Sequence, residues 1–152
     1  MKKGSILYHE NFKFKNGEIG EKLLVLLNTP ELPSEPYLFC KATSKENGKP
    51  KSPGCHLSFS LFLIPGGKEF FNKDTWLQLY EIYPLDAASV LQDSLTKQLI
   101  EKGSLKTNTV KDLMSCISKI RDIETEYKRL ILGKHALLES FLRDKRFKIR
   151  VK

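Results

Sequence analysis

The chain has 152 residues, enough for one domain with a buried core, and its 40% hydrophobic and 29% charged residues are typical of a globular protein. No apolar run reaches the roughly 18 residues of a membrane span and the N-terminus lacks the apolar segment of a signal peptide, so we expect a cytoplasmic protein with no membrane partner and three reduced cysteines. Lysine and arginine outnumber aspartate and glutamate by 26 to 18, and the net charge of +8 favours a polyanionic partner such as nucleic acid, an acidic protein or anionic lipid.

Five strands are predicted in the first half of the chain. Alternating or continuous apolar residues mark the strands, and an Asn16-Gly17 pair between the first two predicts a hairpin because both residues tolerate positive φ. Polar loops rich in proline and glycine separate the later ones. The predicted strands are residues 5–12, 22–28, 37–43, 56–64 and 75–83.

After Pro84 the hydrophobic period changes from that of a strand to that of a helix. A first helix is predicted with Asp86 as N-cap and Gly103 just beyond its end. A second helix is predicted from about Thr109 to Leu132, and a third helical piece at residues 135–143. Residues that recur at helical spacing in the first helix are Leu85, Ala88, Leu91, Leu95 and Leu99, and those of the second are Val110, Leu113, Met114, Ile117, Ile120 and Ile123.

Strands followed by helices, without alternation of the two, predict an α+β fold that is mainly β. Short strands joined by turns favour a small closed or half-closed barrel. The cysteines and histidines do not have the spacing of metal ligands, so neither a metal nor another cofactor is expected. Cys40 and Cys116 lie in apolar patterns and are predicted to be small core residues.

Polar residues cluster at two strand ends. Lys22 begins the second strand, whereas Thr43 ends the third. If these strands pair antiparallel, both residues come to the same rim of the sheet. A basic group beside a hydroxyl can bind a phosphate and can stabilise the charge that develops during RNA cleavage. The alternative is that these are ordinary exposed strand ends.

The order of these segments resembles the PemK/MazF toxins of bacterial toxin–antitoxin systems, which are SH3-like barrel endoribonucleases. The resemblance covers residues 3–125 and implies a barrel of about five strands with helices in residues 1–125, followed by a basic helical extension in residues 126–152. The last ten residues of that extension hold six basic side chains and one acid. The segments that carry the resemblance are Lys3-Gly4-Ser5-Ile6, Glu21-Lys22-Leu23-Leu24-Val25-Leu26-Leu27-Asn28, Lys41-Ala42-Thr43-Ser44 and residues 75–86.

The resemblance implies a type II toxin that cleaves single-stranded RNA without metal, by attack of the 2′-OH on the adjacent phosphodiester. It also implies a homodimer and a cognate antitoxin. Thr43 matches the catalytic threonine of the family, and Glu21 and Lys22 stand where the family has an arginine, so Lys22 is the expected catalytic cation. Tyr83 stands where a second family arginine lies. The residues expected to contact RNA are Lys41, Ser44, Lys45, Lys49, Lys51, Tyr80 and Tyr83.

A second hypothesis is a catalytically inactive barrel module that binds nucleic acid or a protein. The substitution of the family arginine favours it, because a lysine supplies charge but not the planar, bidentate contact of a guanidinium.

Overall fold

The computed structural model describes residues 1–133, and its strands form one antiparallel sheet in the order β4-β5-β6-β3-β2-β1-β7. The predicted helical piece at residues 135–143 and the basic tail at residues 143–152 lie outside the described residues. The strands are β1 (Ser5–Lys13), β2 (Ile19–Leu26), β3 (Tyr37–Thr43), β4 (Gly54–His56), β5 (Leu61–Ile64), β6 (Thr75–Leu85) and β7 (Leu99–Ser104). The helices are α1 (Ala87–Leu95), α2 (Thr107–Lys119) and α3 (Thr125–Leu132).

This architecture confirms the predicted α+β fold that is mainly β. The described part of the chain has seven strands where the sequence predicts about five. No helix among residues 1–133 is both long and apolar enough to cross a membrane.

The central strands are buried on both faces, which explains their continuous apolar runs. On one face Val25 joins a core cluster with Leu38 and α2, while on the other face Leu24 packs with Phe39 and α1. The β1–β2 hairpin is closed by Gly17 at φ 88°, as the Asn-Gly pair predicts.

The connection between β2 and β3 is held by a buried side chain. Asn28 is fully buried, its Oδ1 accepts the backbone N–H of Leu38 at 2.8 Å, and its Nδ2 donates to the carbonyl of Pro36 at 2.9 Å. A side-chain amide that bonds a backbone N–H and a backbone carbonyl in this way takes the place of ladder hydrogen bonds beyond the last paired residues. The register of β2 against β3 is thereby fixed at its turn.

The predicted fourth strand, residues 56–64, is not continuous. It is divided into β4, a 3₁₀ turn at Leu57–Phe59 and β5. Ser60 adopts a left-handed conformation at φ 51°, which reverses the chain and interrupts the extended backbone.

The first predicted helix is correct in its start and wrong in its end. Asp86 caps α1 by accepting the backbone N–H of Ser89 at 2.7 Å. The helix ends at Leu95, however, and the residues up to Gly103 continue into β7, which pairs with β1. Pairing with β7 gives hydrogen-bond partners to backbone groups along β1. The free energy gained from this pairing outweighs the local preference for a helix that the apolar spacing indicates.

The second predicted helix is two helices. The extended backbone of Ile120 ends α2, and a short turn leads to α3. The predicted apolar face is nevertheless the one that packs: Leu113 and Ile117 are fully buried, and Ile120 and Ile123 remain in the core. Thr109 is not the start of α2, and its hydroxyl donates to Glu69 at 2.6 Å instead.

The expectation of three reduced cysteines is wrong. Cys55 of β4 and Cys116 of α2 form a disulfide with Cα atoms 5.5 Å apart. Only Cys40 is a free thiol among residues 1–133, and it is buried in the core as predicted. The pairing was hidden because the two residues are separated by 61 positions and Cys55 lies in a polar segment.

We expect peptide mapping without reductant to recover one linked pair containing Cys55 and Cys116. Reduction should lower the free energy of unfolding by about 4 kcal/mol, because the bond closes a long loop in the unfolded chain. Cys55→Ser, at an exposed position, should reproduce this loss and should itself be insensitive to reductant. Equal stability of the wild type with and without reductant contradicts the crosslink.

The packing of the helices gives a second test. Leu113→Ala should lower the free energy of unfolding by about 2–5 kcal/mol, because the side chain is fully buried between α2 and the sheet. Leu91→Ala, on the exposed face of α1, should change it by no more than about 0.5 kcal/mol. Urea denaturation measures both, and similar losses for the two variants would be inconsistent with this packing.

Candidate functional site

A cavity of about 710 Å³ opens between residues 21–23 of β2 and the end of β3. The strand β2 begins at Ile19, three residues before the predicted start at Lys22, because residues 19 and 20 also pair with β1. Because β2 and β3 are antiparallel, with Leu24 opposite Lys41, two further steps along the register bring Lys22 opposite Thr43. The structure thus brings both predicted catalytic residues to one cavity. Its lining residues are Tyr8, Glu21, Lys22, Leu23, Ala42, Thr43, Ser44, Lys45, Phe70, Phe71, Asn72, Lys73 and Thr75.

Lys22 is half-buried and surrounded by positive charge. Burial lowers the pKa of its ammonium group, and the nearby charges of Lys41, Lys45 and Lys49 lower it further. No carboxylate within residues 1–133 forms an ion pair with Lys22. A partly desolvated cation among like charges favours an anionic ligand, because the anion relieves the repulsion and supplies a counter-charge.

Thr43 presents a hydroxyl group beside this cation. Its Oγ1 accepts the backbone N–H of Lys45 at 3.2 Å, which orients the side chain at the end of β3. No described residue accepts the hydroxyl hydrogen, so this hydrogen is available to a ligand oxygen. Ser44 and Lys45 line the same cavity, as expected for residues that contact the ligand.

The lysine-rich loop between β3 and β4 is ordered by its own contacts. Lys49 donates to the carbonyl of Lys45 at 2.9 Å, and Lys51 forms an ion pair with Glu46 at 2.7 Å, which raises the pKa of Lys51. The indole of Trp76 in β6 donates to the carbonyl of Pro50 at 2.8 Å. The loop therefore carries Lys45 into the cavity, while Lys49 and Lys51 lie outside its lining.

Three other predicted contact residues do not line the cavity that holds Lys22 and Thr43. Lys41 is directed toward Glu81, with Nζ 4.0 Å from the carboxylate, and lies over the Tyr83 ring at 5.5 Å. Tyr80 is exposed and accepts a hydrogen bond from Gln78 at 2.7 Å. Tyr80 and Tyr83 line a separate cavity of about 360 Å³, so the structure does not group them with the catalytic candidates.

Sequence reasoning missed an acid–phenol pair in the cavity wall. Tyr8 of β1 lies opposite Leu23 of β2, next to Glu21. Desolvation and a side-chain hydrogen bond to Glu21 raise the pKa of Tyr8. The signal was available, since a predicted β1–β2 hairpin places a residue of β1 beside the start of β2.

Residues 70–73 were also missed, although Phe70, Asn72 and Lys73 line the cavity. They belong to the long connection between β5 and β6. Pro65-Gly66-Gly67 in the sequence indicates a turn but carries no information about which surface the following residues cover.

No group of residues that could hold a metal ion is found within residues 1–133. Burial raises the pKa of the Cys40 thiol to about 12, so this cysteine is a protonated core residue rather than a nucleophile.

No protein-family model matches the chain, and no curated protein matches it either. The functional assignment therefore depends on the geometry and charge of the cavity.

The charge environment of Lys22 gives a direct test. Neutralising a neighbouring cation favours the charged form of Lys22, so Lys45→Met or Lys49→Met should raise its pKa. Lys51→Met is the control, since Lys51 is paired with Glu46 and does not perturb Lys22. Carbon-13 NMR titration of the Lys22 Cε measures each value. An equal shift in all three variants contradicts this assignment.

Proposed function

We propose that the protein is a toxin-like endoribonuclease that cleaves single-stranded RNA without metal at a phosphodiester bound between Lys22 and Thr43. The observation that carries this proposal is the shared cavity, in which an unpaired, partly desolvated lysine lies beside a threonine hydroxyl. A phosphate is the ligand that suits both groups, and RNA adds the 2′-OH that makes such a phosphate cleavable.

In the proposed reaction, the 2′ oxygen attacks the adjacent phosphorus and the bond from phosphorus to the 5′ oxygen breaks. The products are a 2′,3′-cyclic phosphate and a 5′-hydroxyl. The carboxylate of Glu21, which lines the cavity, accepts the proton of the 2′-OH. The ammonium of Lys22 neutralises charge on the phosphate and gives a proton to the leaving 5′ oxygen. Thr43 donates its hydroxyl hydrogen to a phosphate oxygen.

The proposal includes the finer architecture, a PemK/MazF-type SH3-like barrel. Two contacts of α2 support a strong curl of the sheet. Val110 packs against Gly4 at the start of β1, and Cys116 is bonded to Cys55 of β4. Six helical residues span about 9 Å, whereas five strand spacings in a flat sheet span about 24 Å. The sheet must therefore bend around α2.

The homodimer and the antitoxin are proposed from the resemblance.

Incubation of the purified, folded protein with a long mixed-sequence RNA in EDTA tests the activity. We expect discrete cuts with cyclic-phosphate ends. Thr43→Val and Lys22→Met should each reduce the rate by about 10²–10³-fold, as for loss of one donor to a developing anion, and Thr43→Ser should retain most of it. Lys51→Met, outside the cavity, is the matched control.

If the RNA remains intact after incubation with antitoxin-free wild-type protein, the proposed ribonuclease activity is wrong. If that protein still binds RNA with a steep salt dependence, the alternative of a nucleic-acid-binding module is supported instead.

A further inference from the structure

The connection between β5 and β6 places two aromatic rings at the cavity, one buried and one exposed. Both residues line the cavity, but Phe71 is 6% exposed and belongs to the main core, whereas Phe70 is 40% exposed. The two rings meet edge to face with centroids 5.3 Å apart. Phe71 therefore anchors the connection and Phe70 offers a ring to a ligand.

Backbone contacts hold this connection in place. Gly67 donates its N–H to the carbonyl of Phe71 at 2.8 Å, and Gly66 donates to the carboxylate of Asp74 at 2.8 Å. Gly66 also packs so closely that a Cβ would lie 2.6 Å from the carbonyl carbon of Lys73. These contacts hold the two ends of the connection against each other.

Side-chain contacts tie the same connection to the rest of the fold. Glu69 accepts the backbone N–H of Lys106 at 2.7 Å and the hydroxyl hydrogen of Thr109 at 2.6 Å, at the start of α2. Gly103 of β7 lies under the Phe70 ring, where a Cβ would come within 3.0 Å of it. The ring is therefore supported from behind while its exposed area faces the cavity.

An exposed ring among cations has the chemistry of a nucleotide site. Lys22, Lys45 and Lys73 line the same cavity as Phe70, so phosphate and base contacts are available together. A base stacks on an aromatic ring whatever its identity, and it does so only when it is free of a duplex. Tyr83 is less suited to this role, because it packs against Phe12 with centroids 4.8 Å apart and lies in another cavity.

We propose that Phe70 is the base-stacking platform of the cavity: a nucleotide next to the phosphate held by Lys22 and Thr43 stacks on its ring. This inference rests on the proposed RNA-cleaving function and adds the reason for single-strand selectivity. Lys73, two positions beyond the buried Phe71, contacts the phosphate backbone on the same side.

Fluorescence of 2-aminopurine tests this platform. A single-stranded RNA with every 2′-OH replaced by 2′-fluoro cannot undergo the proposed attack, and one 2-aminopurine is moved along it. We expect quenching at one or two positions on binding to wild type at low salt, and none for the same strand in a duplex. Phe70→Ala should abolish the quenching and weaken binding about tenfold.

Two further variants separate stacking from folding. Phe70→Leu keeps apolar packing against Gly103 and lacks the ring face, so it should also lose the quenching, whereas Phe70→Trp should retain it. Phe59→Ala is the matched control, since Phe59 is 56% exposed on the 3₁₀ turn and does not line the cavity.

The outcomes distinguish the two proposals. The platform is wrong if Phe70→Ala and Phe70→Leu bind RNA with unchanged quenching. It is also wrong if the wild type binds RNA without quenching. In both cases the proposed RNA function still stands. No RNA binding by wild type at low salt overturns both.

Discussion

The antiparallel pairing of β2 with β3 is the constraint on which the candidate site depends. It places the middle of β2 beside the end of β3, and so brings Lys22 and Thr43 together although they are 21 positions apart in the chain. Asn28 fixes the register at the opposite end, because its side chain follows β2 and its amide bonds the carbonyl of Pro36 and the N–H of Leu38 at the start of β3. A slip of one residue would turn every side chain of β2 to the other face. The buried amide therefore acts on the cavity without touching it.

The second constraint is electrostatic. The lysines near Lys22 repel one another, and the fold tolerates this repulsion because β2 and β3 are central strands with large apolar cores on both faces. Burial free energy from those cores holds the charges in place. Such an arrangement stabilises the complex with an anion more than the free protein, which is typical of binding sites rather than of structural ion pairs.

The sequence predicted the parts of the fold that local patterns encode. The period-2 strands, the Asn-Gly turn and the Asp86 cap are set by neighbouring residues, and the proximity of Lys22 to Thr43 followed from them, although β2 begins at Ile19 rather than at Lys22. The end of α1 was missed because Leu91, Leu95 and Leu99 continue a helical period that the pairing of β7 with β1 overrides. The disulfide and the approach of Phe70 to the cavity join distant segments, and a single sequence contains no local sign of either.

The backbone of the loop between β3 and β4 is held at both of its ends and at one point in its middle. Thr43 fixes its start in the sheet, the crosslink of Cys55 fixes its end to α2, and Trp76 binds the carbonyl of Pro50. A free lysine-rich loop loses conformational entropy when a ligand orders it, and that loss subtracts from affinity. Here most of the backbone ordering occurs during folding, so Lys45 reaches the cavity on a backbone that is already in place before the proposed phosphate binds. If the proposed ligand binds, the Cys55–Cys116 bond thus raises its affinity by an entropic effect, at a site that the disulfide does not line.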